Sequence, residues 1–366
     1  MTIRIVSTVM VVGLATAAHA QLGNVTIGSE ARAFAMGGAG VATGGANRAN
    51  PASLAFAKKL SVSLPTLGLR TSGGINEVTK LSNVSKFIRG TESEKQEAAT
   101  EMARQFASQD SQFGLNAGFG LRMGPLELQT NGVTQGKLIP GESLKRWAQG
   151  GGSGDAPAGA SSEISAAALY TLPSIGVGIQ LPLRKLSAGG QKTDLALAIG
   201  GRVKYLNSVY SRYIATSDGS GSFNATPAPE LGGRDYLSQK GIAADLGLMG
   251  QWSQAGASLA GGLVVTNAVK PRLTFKDASG TLFDPVVQTV SAGASFHKGG
   301  LTIAGDLVDL TGKQQLRFGG EQKLGPLALR AGYSSRGGAT YGLGILGIDI
   351  AFGKGQPLEV VQTIRF

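Results

Sequence analysis

Cysteine is absent from the 366 residues, and histidine occurs only twice. The lack of cysteine excludes a disulfide scaffold, thiol redox chemistry and cysteine metal sites. One histidine, His19, lies in an N-terminal leader, and the other, His297, stands beside Lys298 in a predicted tight turn. No nucleophile motif accompanies it, so a Ser-His-Asp triad is not expected. We therefore predict a protein that is not an enzyme and that holds no metal ion and no cofactor.

Long hydrophobic runs are also scarce after the first residues. Arg4 precedes an uncharged apolar stretch over residues 5–18, and Ala18-His19-Ala20 follows as a small-x-small cleavage site. This anatomy predicts a secretory signal peptide over residues 1–20 and a mature chain that starts at Gln21. The apolar stretch is short for a membrane span, which needs ~20 residues. An uncleaved membrane anchor is the alternative.

The charge balance is positive without being concentrated. The formal net charge is +11, but no run of five basic residues occurs. A basic surface can face nucleic acid or anionic lipid. The scattered cations favour outer-membrane lipid and lipopolysaccharide as partners, and no nucleic acid is expected. The 57 glycines suit tight turns and bent strands better than helices.

Alternation with a period of two dominates the sequence after residue 110. Between Asp194 and Tyr205, polar and small residues alternate with a second set consisting of Leu195, Leu197, Ile199, Val203 and Tyr205. A strand between lipid and an aqueous lumen has this pattern. A soluble β-sandwich also alternates, so it remains an alternative.

The connections between the strands favour a barrel. Very short gaps at 124–125, 253–254, 299, 324–325 and 346 alternate with longer ones, as in an outer-membrane barrel with short periplasmic turns. We predict an all-β fold: a transmembrane antiparallel β-barrel over 57–366 with about fourteen strands, or twelve as the alternative. Apolar residues change phase at Leu346-Gly347, which requires a turn or bulge there.

Three segments do not follow the strand pattern. Residues 82–108 combine spaced apolar residues with many charges, which predicts short amphipathic helices in the first long loop. Residues 150–162 and 214–235 are rich in Gly, Ser, Ala and Pro, and they are interpreted as mobile loops.

The predicted inward faces carry charges. The candidate lumen charges are Asp194, Arg202, Lys204, Asp245, Asp306, Arg317, Glu321, Arg330, Asp349 and Arg365. They could simply wet the interior or line a polar path for solutes. The chain stops at Phe366, on a strand face shared with Ile364, Val360 and Leu358. A final aromatic residue of this kind predicts an assembly signal for the barrel-assembly machinery.

The first part of the mature chain is similar to a known family. It has GSEARAFAMGGAGVA at residues 28–42 and ANPASLA at residues 49–55. This opening resembles that of the FadL-type outer-membrane transporter superfamily. The next stretch, LSVSLPTLGLR at 60–70, and the later LRAGY at 329–333 and YGLG at 341–344 are similar to the conjugal plasmid-transfer TraF-like outer-membrane group.

The resemblance implies a hatch inside the barrel. The hatch would be residues 21–56, and the motif residues that would carry this role are Met36, Gly37, Gly38, Gly40, Asn50, Pro51 and Ala52. The function expected first is that of an outer-membrane channel or envelope component linked to conjugal transfer, with a transfer or secretion complex as candidate partner. Uptake of hydrophobic small molecules and a non-transporting scaffold of such a complex are the alternatives.

Overall fold

The computed structural model describes residues 31–43, 49–57, 60–71, 91, 93–94, 97, 101, 107–108, 110–183, 186–188, 191–276, 282–354 and 358–364. The longer strands in the first two thirds are β1 (Leu60–Thr71), β2 (Ser111–Met123), β3 (Leu126–Pro140), β4 (Ser161–Pro182), β6 (Gln191–Ser217), β8 (Leu237–Gln254) and β9 (Ala257–Val269). Those in the last third are β12 (Thr289–Lys298), β13 (Leu301–Val308), β14 (Gln315–Leu324), β15 (Leu327–Ser334), β16 (Gly338–Ile345), β17 (Ile348–Lys354) and β18 (Leu358–Ile364).

The remaining elements are short. They are the strands β5 (Leu186–Ala188), β7 (Phe223–Pro227), β10 (Phe275–Lys276) and β11 (Leu282–Phe283), the α-helices Ala31–Ala35 and Glu142–Gln149, and the 3-10 helices Pro51–Phe56 and Pro229–Leu231. In the part of the chain that the structure describes, no helix is long and apolar enough to cross a membrane.

The long strands form a closed ring. The main sheet has sixteen strands, of which β5 and β7 pair only with β6 as short ribbons, so fourteen remain. Each strand of the ring is antiparallel to its neighbours, and β1 pairs with β18 through Leu67 and Gln362 to close it. The fourteen-strand barrel that alternation and connection lengths predict is confirmed.

The connections define the two ends of the barrel. Two-residue turns join β2 to β3, β8 to β9, β12 to β13, β14 to β15 and β16 to β17 at one end, which we call the turn end. The last of them consists of Leu346 and Gly347, both with positive φ (49° and 89°), which places the phase change at a tight turn as predicted. The opposite end, the loop end, carries the longer connections.

The barrel wall is much taller on one side. The strand β6 has 27 residues and β4 has 22, whereas β15 and β16 have eight each. A membrane-spanning strand needs ~9–11 residues. The wall formed by β3, β4, β6 and β8 therefore extends beyond the membrane at the loop end.

The two faces of the wall differ in chemistry. Outward side chains form an exposed apolar belt that includes Ile199, Leu246, Ile303, Phe318 and Tyr341. Most inward positions on the same strands are small, polar or charged, and Leu206 on β6 and Met249 on β8 are buried apolar exceptions. An apolar outer belt around a polar interior is the surface pattern of a membrane-spanning barrel.

Some local predictions need correction. The helix Glu142–Gln149, directly before the predicted loop 150–162, was not predicted, and its Leu144 packs in an apolar cluster with Ile164 and Phe223. Residues 214–235 are not one loop, because β6 continues to Ser217 and β7 and a 3-10 helix follow. Within 82–108, the described residues 93–94, 97 and 101 are helical, and most of the segment lies outside the described residues.

A bulge interrupts β4. Leu172 and Pro173 together face one residue of each neighbouring strand, Thr130 on β3 and Tyr205 on β6. Proline is confined to such irregular positions because it cannot donate to the strand ladder. The extra residue changes which positions of β4 point inward: even-numbered positions do so toward the turn end, and odd-numbered ones toward the loop end.

Candidate functional site

The candidate functional site is the barrel lumen, which an N-terminal segment crosses. We call residues 31–43 and 49–57 the inner segment. Its helix Ala31–Ala35 packs against β15, β16, β17 and β18, and its 3-10 helix Pro51–Phe56 packs against β4, β6 and β8 on the opposite wall. Ala31, Ala35, Ala39 and Ala52 have no exposed surface. The inner segment is thus enclosed by the barrel.

Asn50 organises one end of the inner segment. Its side-chain oxygen accepts a hydrogen bond from the Ala52 N–H, which caps the 3-10 helix, and Pro51 occupies the first helical position. The Asn50 amide nitrogen lies 3.1 Å from the Val41 carbonyl oxygen, 3.0 Å from that of Leu248 and 3.3 Å from that of Leu263. One side chain therefore joins both halves of the inner segment to β8 and β9.

The wall has glycine residues where the inner segment touches it. A Cβ atom on Gly200 would overlap the backbone of Pro51 and Ala52, and one on Gly332 would overlap the backbone of Met36 and Gly37. On other strands, a Cβ would come too close to backbone or side-chain atoms of the inner segment at Gly178, Gly247, Gly262, Gly293, Gly319 and Gly342. We call these eight residues the glycine girdle. The glycine excess therefore serves close packing inside the lumen as well as turns and bends.

Gly37 and Gly38 of the inner segment have left-handed backbone conformations, with φ of 69° and 80°. A Cβ on Gly37 would lie 2.5 Å from the backbone oxygens of both Phe318 and Tyr333. Glycine is favoured here for two reasons, the positive φ and the close approach of the wall.

Polar side chains of the wall bind the backbone of the inner segment. One carboxylate oxygen of Asp306 accepts from the N–H groups of Gly40 and Val41, at 2.5 and 3.0 Å. The Thr340 hydroxyl accepts from the Gly37 N–H and donates to the Ala35 carbonyl, both at 3.0 Å. The Ser295 hydroxyl donates to the Ala42 carbonyl at 2.6 Å. These bonds satisfy buried backbone groups that would otherwise destabilise the packed segment.

An ion network fixes the other end of the inner segment. Both guanidinium nitrogens Nε and Nη2 of Arg32 donate to the carboxylate of Glu321, at 2.9 and 2.8 Å. Arg330 donates to the same carboxylate at 2.6 Å and to Asp349 at 2.7 Å. The Glu321 side chain is fully buried. Three of the candidate lumen charges therefore meet at the helix Ala31–Ala35.

A second ion network lies on the tall wall. Arg202 is 2.8 Å from the Glu127 carboxylate and 3.5 Å from that of Asp245. Lys204 is 2.6 Å from Asp245 and donates at 2.6 Å to the side-chain oxygen of Asn267. The Asn267 N–H donates to Asp245, so this network also closes a bulge between β8 and β9.

The remaining candidate charges have different surroundings. Arg317 is buried and donates to Gln315 at 2.9 Å and to the Gly38 carbonyl at 3.4 Å. Asp194 shares the inward phase of β6 but is exposed near the turn end, so it does not belong to either network. Arg365 and Phe366 lie outside the described residues, as do residues 21–30 of the predicted hatch and the whole predicted signal peptide.

Apolar side chains occupy the lumen on the loop side of the inner segment. They form one buried cluster of Leu169, Leu206, Ala243, Leu273 and Val286. The first three point inward from β4, β6 and β8, and the last two come from the connection between β9 and β12. We call this group the lumen cluster.

The loop-end connections contain ordinary polar turns. The Asp218 carboxylate accepts from the backbone N–H and the hydroxyl of Ser220, at 2.7 and 2.8 Å. These hydrogen bonds to the charged form lower the pKa of Asp218. Among the described residues no group of three or more acidic, histidine or cysteine side chains could hold a metal ion. His297 is exposed, and its Nδ1 lies 3.0 Å from the Thr302 hydroxyl.

Several residues of the site were not predicted from the sequence. Glu127, Asn267, Ser295 and Thr340 all point inward, and Arg32 reaches the wall from the inner segment. Alternation could have placed the first four on an inward face, but their partners lie on distant parts of the chain. The register of the strands brings Glu127 and Asn267 to their partners, whereas the pairs of Ser295, Thr340 and Arg32 depend on where the inner segment lies.

The fold and the site together define a membrane-spanning β-barrel with a segment packed across its lumen. The toluene transporter TbuX of Ralstonia pickettii is similar to this chain at 11% identity, covering 92% of this chain and 97% of that chain with a TM-score of 0.44. The P. putida toluene transporter TodX is similar at 11% identity, covering 92% and 96% with a TM-score of 0.28. A deltaS2 mutant of the TodX monoaromatic hydrocarbon channel is similar at 13% identity over the same shares, with a TM-score of 0.27.

No family model matches the sequence, and no curated protein matches it. At this level of identity and structural similarity, none of the three structures assigns a substrate or a residue role to this chain.

Proposed function

We propose that this chain is an uptake channel for small hydrophobic molecules in the bacterial outer membrane, with the inner segment as its hatch. The observation that carries the proposal is the lumen cluster, which places buried leucine and valine side chains inside the barrel. A water-filled porin has a polar interior. Apolar side chains on the loop side of the inner segment instead favour solutes that leave water readily.

The location is part of the proposal. The apolar outer belt supports a position in a membrane, and the predicted signal peptide supports export. We expect the mature protein to fractionate with outer membranes and to show heat-modifiable gel migration, as closed barrels do. Recovery in the soluble periplasmic fraction without detergent contradicts this location.

Uptake of radiolabelled toluene by cells that express the protein tests the activity. Toluene is chosen because it is a small hydrocarbon without a polar group. We expect faster uptake than in cells with an empty vector. Replacement of Leu206 by Asn should slow uptake about fivefold, because a polar amide in an apolar site costs ~1–3 kcal/mol unless it is bonded. The volume-conserving Leu206→Met is the matched control.

A sealed scaffold without transport is a second candidate, and the glycine girdle favours it. The wall approaches the inner segment closely at a glycine on each of eight strands, which suits a barrel that stays closed. If cells with the wild type and cells with Leu206→Asn both take up toluene no faster than the vector control, the protein is a scaffold and not a channel. The link to conjugal transfer remains a hypothesis from the sequence motifs, and no feature of the described residues identifies a transfer partner.

A further inference from the structure

A patch of polar side chains without partners lies on the lumen wall formed by β3 and β4. Asn131 and Thr171 are opposite each other in the ladder of these strands, and Ser174 follows across the bulge. The Asn131 Oδ1, Thr171 Oγ1 and Ser174 Oγ atoms have no hydrogen-bond partner among the residues that the structure describes. The three residues are 6%, 2% and 2% exposed. We call them the acceptor patch.

Unpaired groups of this kind need an explanation. Native structures hold few buried polar atoms without partners, because each such atom loses its bonds to water on folding. Three of them on neighbouring positions of one wall are therefore a candidate binding surface. The hydroxyls of Thr171 and Ser174 can donate as well as accept, whereas the Asn131 oxygen can only accept.

The acceptor patch borders the lumen cluster directly. Thr171 is opposite Leu206 in the ladder between β4 and β6. Leu206 packs with Leu169, which lies two residues from Thr171 on the same inward face. A molecule placed here would have hydrogen-bonding groups on one side and aliphatic side chains on the other. This combination fits an apolar molecule with one polar group.

The charges below the patch disfavour an anion. The Lys204 ammonium is engaged by Asp245 and Asn267, and the terminal nitrogens of Arg202 by Glu127 and Asp245. Two carboxylates balance these two cations, so the surroundings offer no net positive charge. The Arg202 Nε–H has no partner within the described part of the chain and adds one hydrogen-bond donor. The polar group of the ligand is therefore expected to be neutral, to donate and to accept.

We propose that the acceptor patch binds the hydroxyl group of a small apolar molecule, such as a simple phenol, while the lumen cluster holds its hydrocarbon part. The inference rests on the proposed uptake function and names its substrate class. The ligand hydroxyl donates to the Asn131 oxygen and accepts from the Thr171 or Ser174 hydroxyl.

Three matched probes test the proposal by equilibrium dialysis: radiolabelled toluene, p-cresol and p-toluate. The purified full-length mature protein is held in detergent micelles, and protein-free micelles give the partition background. The probes differ only in carrying no polar group, a neutral hydroxyl or a carboxylate, because a phenol with a pKa near ~10 is neutral at pH 7. We expect p-cresol to bind about fivefold more tightly than toluene, and p-toluate to bind most weakly.

Variants then locate the hydroxyl site. The double change Thr171→Val with Ser174→Ala should abolish the preference for p-cresol and leave toluene binding unchanged, which also reports that the barrel has folded. Asn131→Leu provides a second, independent variant with the same expectation. Ser208→Ala is the matched control, since this inward hydroxyl is already bonded to the Ala168 carbonyl at 3.3 Å; it should keep the preference.

The outcomes separate this inference from the proposed function. Equal binding of toluene and p-cresol to the wild type would overturn the inference and leave uptake of hydrophobic molecules standing. A p-cresol preference that survives both the double variant and Asn131→Leu would overturn the assignment to the acceptor patch. Binding of none of the three probes would overturn both proposals together.

Discussion

Gly332 of β15 and Gly37 of the inner segment are in backbone contact across the lumen wall, with no room for a Cβ atom on either residue. A Cβ on Gly332 would overlap the Gly37 nitrogen, and one on Gly37 would lie 2.7 Å from the Tyr333 nitrogen. Two glycines almost three hundred positions apart therefore form a single contact. This relationship shows how the barrel wall and the inner segment depend on each other.

Replacement of Gly332 by Ala should loosen the inner segment. The added methyl group meets backbone rather than a flexible side chain, so one of the two backbones must shift, at a cost of about 1–3 kcal/mol. We expect the peptide bond after Arg32 of the inner segment to become cleavable in limited trypsin digestion of the folded barrel.

Gly261→Ala is the matched control, because a Cβ on this strand glycine would meet no atom within 4 Å. It should leave the digestion pattern unchanged. If trypsin cleaves Gly332→Ala no faster than the wild type, the wall can shift enough at this contact to make room for the methyl group.

A second prediction concerns Asp306, whose carboxylate binds two N–H groups of the inner segment. In Asp306→Ala the buried N–H groups of Gly40 and Val41 lose their acceptor, and each unpaired group costs about 1–3 kcal/mol. The variant should therefore release this part of the segment and raise the open-channel conductance in planar bilayers. Asp194→Ala serves as the control, because Asp194 occupies an inward position on β6 but its carboxylate is exposed. Matching conductance in the two variants would remove Asp306 from the anchoring role.

Most of the fold could be predicted from the sequence. Alternation and the parity of connection lengths predict the fourteen strands, and the short gap expected at 124–125 is the turn between β2 and β3. The reason is physical: a strand between lipid and a filled lumen must alternate, and a barrel must sort its connections by end.

The contacts between residues inside the lumen could be predicted only in part. Alternation assigns Glu321 to an inward face but cannot tell that it meets Arg32, which is 289 positions away. The bulge at Leu172-Pro173 had a signal, the proline within a strand pattern, and it decides that Thr171 rather than Leu172 faces the lumen. The role of the glycine girdle could not be predicted for a different reason. The sequence does not distinguish a strand glycine that allows a bend from one that leaves room for a neighbouring segment.

A third prediction concerns the ion network around Glu321. Glu321→Gln leaves the guanidinium groups of Arg32 and Arg330 facing each other without a full counter-charge in a buried site. We expect the free energy of unfolding, measured in urea with the barrel in lipid vesicles, to fall by about 3 kcal/mol. A double-mutant cycle with Arg32→Ala should give a coupling of about 1–3 kcal/mol.

The neighbouring Lys323 provides the comparison. It is 3.9 Å from Glu321 and its side chain is half exposed. Lys323→Ala should change the free energy of unfolding by no more than about 1 kcal/mol, as for exposed ion pairs. Additive effects of Arg32→Ala and Glu321→Gln would show that the inner segment gains no stability from this bond.

The last prediction concerns the whole inner segment as a plug. Deletion of residues 28–52 removes the helix Ala31–Ala35, Asn50 and the first part of the 3-10 helix. The partners left behind on the wall, such as Asp306 and Thr340, can then bond to water, because the emptied lumen is wide enough to fill. The barrel should therefore still insert and keep its heat-modifiable migration. Since the glycine girdle has no side chains to narrow the emptied space, the deleted protein should conduct more than the intact one in planar bilayers. Identical conductance of the two proteins would mean that the inner segment plugs nothing, and loss of insertion would mean that the barrel needs it for assembly rather than for closure.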